Sequence, residues 1–447
     1  MNKVHDLPKE LISLHSDGET PPERWLIGAE HELLAVDASG RAHSFEGDQG
    51  IEKVLHGIRA EVDGLNPIEE KGRTIALKGR GGSVTLEPGG QVELSGAAHT
   101  DVHGLAAETF CYQTALEVVA QDLGLSFFAM GLRPVLAVPA VPRMPKSRYR
   151  AMEQVMPSLG SRSLEMMFLT GTIQSNLDYS SEADMAAKFR CAALVSPIVT
   201  ALVANSPYQH GRRTGFMSTR QAIWDETATA RSGRFPWMVQ PGRTYADYAH
   251  FAAMQPLLFQ QHGDDVRPGD DLPFLTHYQN GDMDLRDWEQ HLTAVFPEVR
   301  LKHMLEMRGA DGGTGDLVIA VNAFWTGLLY DEVARDTALR ELSGVNEHQW
   351  ERLARTCQQD GLAAVEEGLP PVQELASAAV SWAKQGLQRR ARLNKAGEDE
   401  SVWLRPLEEL LELGASPAEL LVARFGDDAT AARDFLCRDV QRSPWLA

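Results

Sequence analysis

Polar and apolar residues alternate along four segments of the chain, and this period of two predicts β-strands. The predicted strands are residues 24–36, 83–95, 172–179 and 301–308. Elsewhere apolar residues recur at intervals of three and four, which predicts helices over residues 103–123 and 182–204. Because strands and helices do not alternate regularly, we expect an α+β fold with an antiparallel sheet, not a doubly wound parallel sheet.

The pattern changes near residue 331, after which helical periodicity dominates. Residues 372–393 and 404–413 are predicted helices, and the polar stretch 394–401 separates them. A chain of 447 residues exceeds the usual size of a single domain. We therefore predict a domain over residues 1–335 that carries the chemistry and a helical C-terminal appendage over residues 336–447.

The charge balance argues against polyanionic partners. The chain has 62 Asp and Glu residues against 43 Lys and Arg, which gives a formal net charge of −19. Nucleic acids and anionic membranes bind clustered Lys and Arg, so we expect neither as a partner. The four cysteines lack CxxC spacing, the N-terminus lacks a signal-peptide pattern, and no run approaches the roughly 20 apolar residues of a membrane span. These features favour a reducing cytoplasm.

Candidate chemistry begins with two acidic residues on the first predicted strand. Glu30 and Glu32 lie on one face, because side chains two positions apart on a strand point the same way. Residues 31–35 (HELLA) resemble the start of a zinc-protease helix, but Ala35 stands where the second histidine ligand is required. The pair therefore indicates either a solvated strand face or a site for another cation.

A second pair of carboxylates lies on a predicted hairpin. Residues 88–90 are Pro-Gly-Gly, which supplies the backbone geometry of a tight turn. With those three residues as the loop, Glu87 faces Gln91, and Glu93 joins them on the same face.

The other two predicted strands carry polar side chains in the same alternating manner. Gln174 and Asn176 share one face of the third strand, and Glu306 lies beside Arg308 on the fourth, before a predicted glycine-rich loop. Repulsion among so many acids favours bound cations over a simple acid/base pair, since a glycosidase needs only two carboxylates. Carboxylate and amide oxygens on rigid strands suit Mg²⁺.

Other motifs carry less information. His99 and His103 have helical spacing without a third metal ligand, and residues 78–83 depart from both phosphate-loop fingerprints. No GxSxG motif is present, and the methionines near residue 166 are interpreted as core. Arg148 and Arg220 could each hold a carboxylate through two hydrogen bonds, although either is an ordinary arginine when taken alone.

Three blocks taken together carry a family resemblance. Residues 27–32 (IGAEHE), 86–96 (LEPGGQVELSG) and 305–311 (LEMRGAD) resemble the signature blocks of glutamate-cysteine ligases of the plant and proteobacterial type. Weaker matches extend the resemblance over roughly residues 20–335. It implies a fold related to the glutamine synthetase catalytic domain, with a curved antiparallel sheet around the active site and flanking helices.

The resemblance also implies a reaction and a set of residues. ATP would phosphorylate the γ-carboxylate of glutamate, and the amine of cysteine would attack the acyl phosphate to give γ-glutamylcysteine for glutathione biosynthesis. The implied catalytic residues are Arg308 and Glu87. The implied Mg²⁺ ligands are Glu30, Glu32, Glu87, Glu93 and Glu306. The implied substrate-binding residues are Arg148, Arg220, Trp224, Gln174 and Asn176.

Two positions depart from the family pattern, and three alternatives stay open. Ser147 replaces a usual glycine and Gly171 a frequent cysteine, but neither change removes an implied ligand. We expect no regulatory disulfide. The alternatives are a γ-glutamyl ligase with a different amine acceptor, a guanidino-type phosphotransferase on a related fold, and a relative that binds glutamate or nucleotide without turnover.

Overall fold

The structure, a computed structural model, describes residues 7–262 and 265–446. Within those residues it contains fifteen strands: β1 Ile27–Asp37, β2 Asn66–Glu70, β3 Arg73–Lys78, β4 Ser83–Leu86, β5 Val92–Ser95, β6 Leu125–Phe128, β7 Thr172–Leu177, β8 Tyr208–Gln209, β9 Arg212–Arg213, β10 Ser232–Gly233, β11 Phe259–His262, β12 Asp265–Pro268, β13 Phe296–Pro297, β14 Val299–Leu301 and β15 Leu305–Asp311.

The same part of the chain forms seventeen α-helices: α1 Lys9–Ser16, α2 Ile51–Glu61, α3 Val102–Leu123, α4 Ser147–Leu159, α5 Ser163–Leu169, α6 Glu182–Leu202, α7 Thr219–Asp225, α8 Tyr245–Ala253, α9 Phe274–Asn280, α10 Leu285–Leu292, α11 Gly315–Leu329, α12 Glu332–Glu341, α13 Glu347–Asp360, α14 Val372–Arg390, α15 Arg405–Leu413, α16 Pro417–Phe425 and α17 Ala429–Leu436. The four predicted helices match α3, α6, α14 and α15 to within three residues at each end.

Nine of the described strands form one sheet in the order β14-β15-β7-β1-β5-β4-β3-β2, with β6 paired to β1 as well. Every pair in this sheet is antiparallel. The predicted α+β class with an antiparallel sheet is therefore confirmed. Strand β1 is the hub, because its first half pairs with β5 and β7 while its second half pairs with β6.

The two faces of β1 differ as the alternation predicts. Ile27 and Ala29 are buried on one face, in a core that includes the apolar side chains of α6 and α11. Glu30 and Glu32 point to the opposite face and are only half-buried. Since α6 contacts β15 and α11 contacts β7 and β1, helices cover the apolar face and leave the polar face free to line a cavity.

The fourth predicted strand, residues 301–308, is wrong as a single element. The chain reverses after Leu301, the Lys302 N–H donates to the Met304 carbonyl at 2.9 Å, and Leu301 pairs with Leu305 across the resulting hairpin. The reversal was hidden because the period of two continues through the turn. The predicted loop after Arg308 is also wrong at its start, because β15 continues to Asp311 through an irregularity between Met307 and Ala310.

The tail packs against the rest of the chain. Side chains of α14 and α15 belong to the same core as those of β1 and β7. Leu421 and Ala432 pack with Val36 and Phe128 in a second cluster. The tail is helical as expected. The division of the chain at residue 335 into a catalytic domain and a C-terminal appendage stays a prediction.

Helix α6 is long and apolar enough to cross a membrane by length and composition, but 83% of its apolar window is buried inside the fold. In the described part of the chain, α11 and α12 taken together are also long and apolar enough to cross a membrane, although they bend by 86° at their junction. Such burial is typical of a core helix. The four cysteines are unpaired, and two of them, Cys191 and Cys357, are buried.

Candidate active site

The polar face of the sheet lines a cavity of about 280 Å³, together with α4, α5, α7 and the segment that leads into β13. Eight of the eleven residues implied by the resemblance line this cavity: Glu30, Glu32, Glu87, Glu93, Arg148, Gln174, Trp224 and Arg308. The other three do not line it. Glu306 and Arg220 are buried behind the wall, and Asn176 donates to Glu30 at 3.1 Å.

Strand register brings the acids together. Glu32 is the direct partner of Glu93 between β1 and β5, and Glu30 is the partner of Gln174 between β1 and β7. Burial raises the pKa of Glu30, Glu32 and Glu93, and neighbouring carboxylates raise these values further. For Glu93 the pKa reaches about 8, mainly through burial, and Glu87 is the charged neighbour that raises it most. Ionising these carboxyl groups together is therefore unfavourable unless a cation is bound.

The hairpin places Glu87 as the sequence predicts. The Glu87 N–H donates to the Gln91 carbonyl at 2.9 Å, which confirms that these residues face each other. The turn needs its glycines, because Gly90 has φ of +76° and a Cβ on Gly89 would lie 2.4 Å from the Phe168 carbonyl oxygen. Gln91 turns inward and donates to the Thr170 carbonyl at 2.9 Å, so it ties the hairpin to the end of α5.

Glu306 is surrounded by three cations. Arg300 lies 2.6 Å from one carboxylate oxygen, Lys302 lies 2.6 Å from the other, and Arg308 contacts the carboxylate as well. Burial would raise the pKa of Glu306, but Arg300, Lys302 and Arg308 together hold it well below its ordinary value. The prediction that Glu306 lies beside Arg308 is confirmed, and the two side chains form an ion pair.

Arg308 extends from this cluster into the cavity. Its guanidinium also donates to the side-chain carbonyl of Gln174, and it lies 5.7 Å from the centre of the Trp224 ring. Arg300 and Lys302 were not predicted as site residues, because the interpretation of residues 301–308 as one strand hid the β14–β15 hairpin that brings them beside Glu306.

A second basic group lies at the start of α4. The Tyr149 hydroxyl is 3.0 Å from a Glu87 carboxylate oxygen and 3.2 Å from the Arg148 guanidinium, while the Lys146 ammonium is 3.4 Å away. Burial lowers the pKa of Lys146 to about 8, although Glu87 and Glu93 oppose this effect. Lys146 and Tyr149 were missed from the sequence. The only available signal was their position beside Arg148.

Helix α7 carries Arg220 and Trp224. Arg220 is 2% exposed, and it donates to Thr172 at 2.9 Å and to the Arg308 carbonyl at 3.0 Å. Arg220 therefore supports the backbone of Arg308 from the side away from the cavity. Trp224 lines the cavity, whereas Arg220 does not.

Buried Asp311 fixes the start of α7. Its carboxylate accepts from Ser206 at 2.6 Å and from Ser218, the N-cap of α7, at 2.8 Å. The Ser206 hydroxyl in turn accepts from the Arg220 backbone N–H at 3.1 Å. Asp311 was assigned to a loop from the sequence, so its supporting role was missed.

The donor set fits Mg²⁺ only together with an outside ligand. In residues 7–262 and 265–446, no group of three or more His, Cys, Asp or Glu side chains is arranged to hold a metal ion. Magnesium in nucleotide enzymes usually takes one or two carboxylates, several waters and the substrate phosphates. The half-buried acids with raised pKa values fit that requirement, since a bound cation would offset both the burial and the mutual repulsion that raise these pKa values.

Comparison with known sequences assigns the chain to a family. The profile of glutamate-cysteine ligase family 2 matches residues 26–441. This chain belongs to that family. The match confirms the resemblance and extends it through the helical tail, beyond residue 335.

Curated relatives cover almost the whole chain. The chloroplastic glutamate--cysteine ligase of Nicotiana tabacum is 37% identical over 423 residues, which is 93% of this chain and 79% of the relative. Ligase B of Oryza sativa subsp. japonica is 36% identical over 93% of this chain and 83% of the relative. The Arabidopsis thaliana enzyme is 35% identical over 94% and 80%.

Solved structures give weaker likenesses. A bifunctional glutathione synthetase from Pasteurella multocida covers 96% of this chain and 51% of its own, with TM-score 0.44 and 12% identity. The ligase PafA, in its complex with the ubiquitin-like protein Pup, covers 93% of this chain and 70% of its own, with TM-score 0.38 and 11% identity.

Proposed function

We propose that this chain joins the γ-carboxylate of glutamate to the amine of cysteine, with ATP and Mg²⁺, through a γ-glutamyl phosphate. The products are γ-glutamylcysteine, ADP and phosphate. The observation that carries the proposal is the cavity in which four glutamates face Arg308, in a chain that belongs to the glutamate-cysteine ligase family. The named relatives are glutamate--cysteine ligases, which supports cysteine as the acceptor.

The acidic wall is the proposed place for Mg²⁺ that arrives with ATP. Glu30, Glu32, Glu87 and Glu93 line the cavity, so they are the proposed ligands. When bound, the metal would neutralise phosphate charge. Glu306 was also implied as a ligand, but in this structure three cations occupy its carboxylate. We therefore assign Glu306 to hold Arg308 in place.

The basic wall is the proposed place for the transferring phosphoryl group and for glutamate. Arg308 reaches the cavity beside Gln174 and would stabilise negative charge on the phosphoryl oxygens. Arg148, exposed at the cavity rim, would bind a carboxylate of glutamate, and Trp224 would pack alongside. Asn176 orients Glu30, and Arg220 acts through the Arg308 backbone.

The architecture and setting are proposed on the same basis. The antiparallel sheet with acids on one face supports a relationship to the glutamine synthetase catalytic domain. We also propose a cytoplasmic location and small-molecule partners only, in line with the net charge of −19 and the unpaired cysteines.

The test is ADP release by the purified chain with glutamate, ATP and Mg²⁺, with and without cysteine, while mass spectrometry detects γ-glutamylcysteine. Cysteine-dependent ADP release with that product supports the proposal. ADP release only with another amine would reassign the acceptor. A stable phosphorylated product without any second amine would favour the guanidino-type phosphotransferase, and binding without turnover would favour the non-catalytic alternative.

A further inference from the structure

The first turn of α4 has an unfavourable charge pattern. Lys146 is its N-cap residue, Arg148 and Arg150 follow, and the turn contains no acidic residue. The N-terminus of a helix is the positive end of its dipole, so cations there destabilise the helix. The Lys146 side chain also makes no capping hydrogen bond. The site requires this turn nevertheless, because Arg148 and Tyr149 line the cavity.

A carboxylate from a distant strand satisfies this helix end. Glu70, the last residue of β2, accepts a hydrogen bond from the Ser147 backbone N–H at 3.0 Å, and the Ser147 hydroxyl donates to the same oxygen. Ser147 is the first residue of α4. Capping groups are ordinarily supplied by the residue just before the helix. Here the cap comes from the β2–β3 hairpin, at the far edge of the main sheet.

We propose that Glu70 is a positioning residue, which caps α4 from the β2–β3 hairpin and thereby holds Arg148 and Tyr149 at the cavity. Glu70 does not line the cavity, so it acts on substrate only through α4. Its negative charge and its two accepted hydrogen bonds offset the basic first turn. The consequence for catalysis rests on the proposed function, whereas the cap itself does not.

Two variants separate the cap from a general loss of structure. Glu70→Ala removes the acceptor. Ser147→Pro removes both donors yet suits the fold, because proline is favoured at the first helical position and Lys146, with φ of −75° and ψ of 128°, has the backbone that precedes proline. Glu69→Ala, at the exposed neighbouring residue of β2, is the matched control.

Steady-state kinetics and hydrogen–deuterium exchange provide the readouts. Glu70→Ala and Ser147→Pro should each raise KM for glutamate about fivefold, a typical cap contribution expressed as affinity, with kcat within about twofold. The double variant should match Glu70→Ala, because the Ser147 donors have no further effect once the Glu70 acceptor is gone. Peptides spanning residues 145–152 should exchange hydrogen for deuterium faster in both variants than in the wild type. Their exchange rate should be unchanged in Glu69→Ala.

The outcomes are distinguishable from failure of the proposed function. If the wild-type chain shows no turnover, the ligase proposal fails, and the exchange experiment still decides on the cap. Wild-type KM in Glu70→Ala, or additive effects in the double variant, would overturn the positioning role. Unchanged exchange in the first turn of α4 would overturn the cap.

Discussion

Glu32 on β1 and Glu93 on β5 are direct partners across two antiparallel strands. Like charges at directly opposed positions destabilise a sheet. Burial together with the charges of nearby carboxylates raises the pKa of both groups, to about 8 for Glu93. The fold therefore keeps an unfavourable pair in the lining of its cavity, as expected of a site that is completed by a cation.

Removing one of these charges should stabilise the protein. In the absence of metal and nucleotide, Glu93→Gln should raise the free energy of unfolding by about 0.5–1 kcal/mol, because the neutral amide avoids the cost of burying an ionisable carboxyl group among other acids and can still accept from Ser95. The same variant should lose most ligase activity. Urea denaturation and ADP release measure the two effects, with exposed Glu69→Gln as the control. A fall in stability of Glu93→Gln would contradict the repulsion model.

The same substitution at Glu306 should lower the free energy of unfolding, whereas at Glu93 it should raise it. Its carboxylate is fully buried and contacts Arg300, Lys302 and Arg308. Glu306→Gln leaves those cations without a counter-charge and should lower the free energy of unfolding by about 3 kcal/mol. Urea denaturation of Glu306→Gln and Glu93→Gln under identical conditions checks this prediction. Equal stabilities for the two variants would show that the cations around Glu306 are compensated elsewhere.

Arg308 and Arg148 should affect different kinetic constants. Arg308 is held beside the cavity by Glu306 and Gln174, so Arg308→Gln should lower kcat by about 10²–10³ with a smaller effect on KM. Arg148 lies at the cavity rim, and Arg148→Gln should mainly raise KM for glutamate. Steady-state kinetics distinguish the effect on kcat from the effect on KM, with a variant of exposed Arg213, Arg213→Gln, as the reference. The assignment fails if the two variants exchange these signatures.

Acid should destabilise the fold through buried histidines. Burial lowers the pKa of His15 and His31 to about 4 and of His291 to about 3. These groups stay neutral in the folded state while the unfolded chain takes up protons below about pH 6.5, so stability falls as the pH drops from about 6.5 towards 4.

His291 offers a direct check, since its Nε2 lies 2.9 Å from the Ala252 carbonyl and a glutamine can donate the same bond. His291→Gln should reduce the slope of unfolding free energy against pH by up to one proton over that range, about 1.4 kcal/mol per pH unit. Exposed His348→Gln should leave the slope unchanged. An unaltered slope in His291→Gln would mean that this histidine is already protonated in the folded state.

The acidic face could be predicted because it depends on local rules. A period of two assigns Glu30 and Glu32 to one side of β1, and Pro-Gly-Gly determines the hairpin that pairs Glu87 with Gln91. Neither inference needs knowledge of distant contacts. The family assignment likewise follows from short blocks whose order is visible in the chain.

The supporting residues could not be predicted, because their roles arise from contacts between distant segments. Arg300 reaches Glu306 only after an unrecognised turn, and Asp311 acts by accepting from Ser218 on another element. Glu70 has no local motif, and its partner lies 77 positions further along the chain. Such contacts leave no periodic signal in the sequence. Arg220 was assigned to substrate binding from the sequence, and only the fold shows that it lies behind the cavity wall.

The strand order also sets how the cavity can form in time. Glu30 pairs with Gln174, and Glu306 pairs with Asn176, so the acidic and basic walls meet only after segments far apart in the chain have joined on β1 and β7. Closing such large loops slows folding relative to local helix formation. During refolding, the helical signal should therefore recover early, and the substrate cavity should be among the last features to mature.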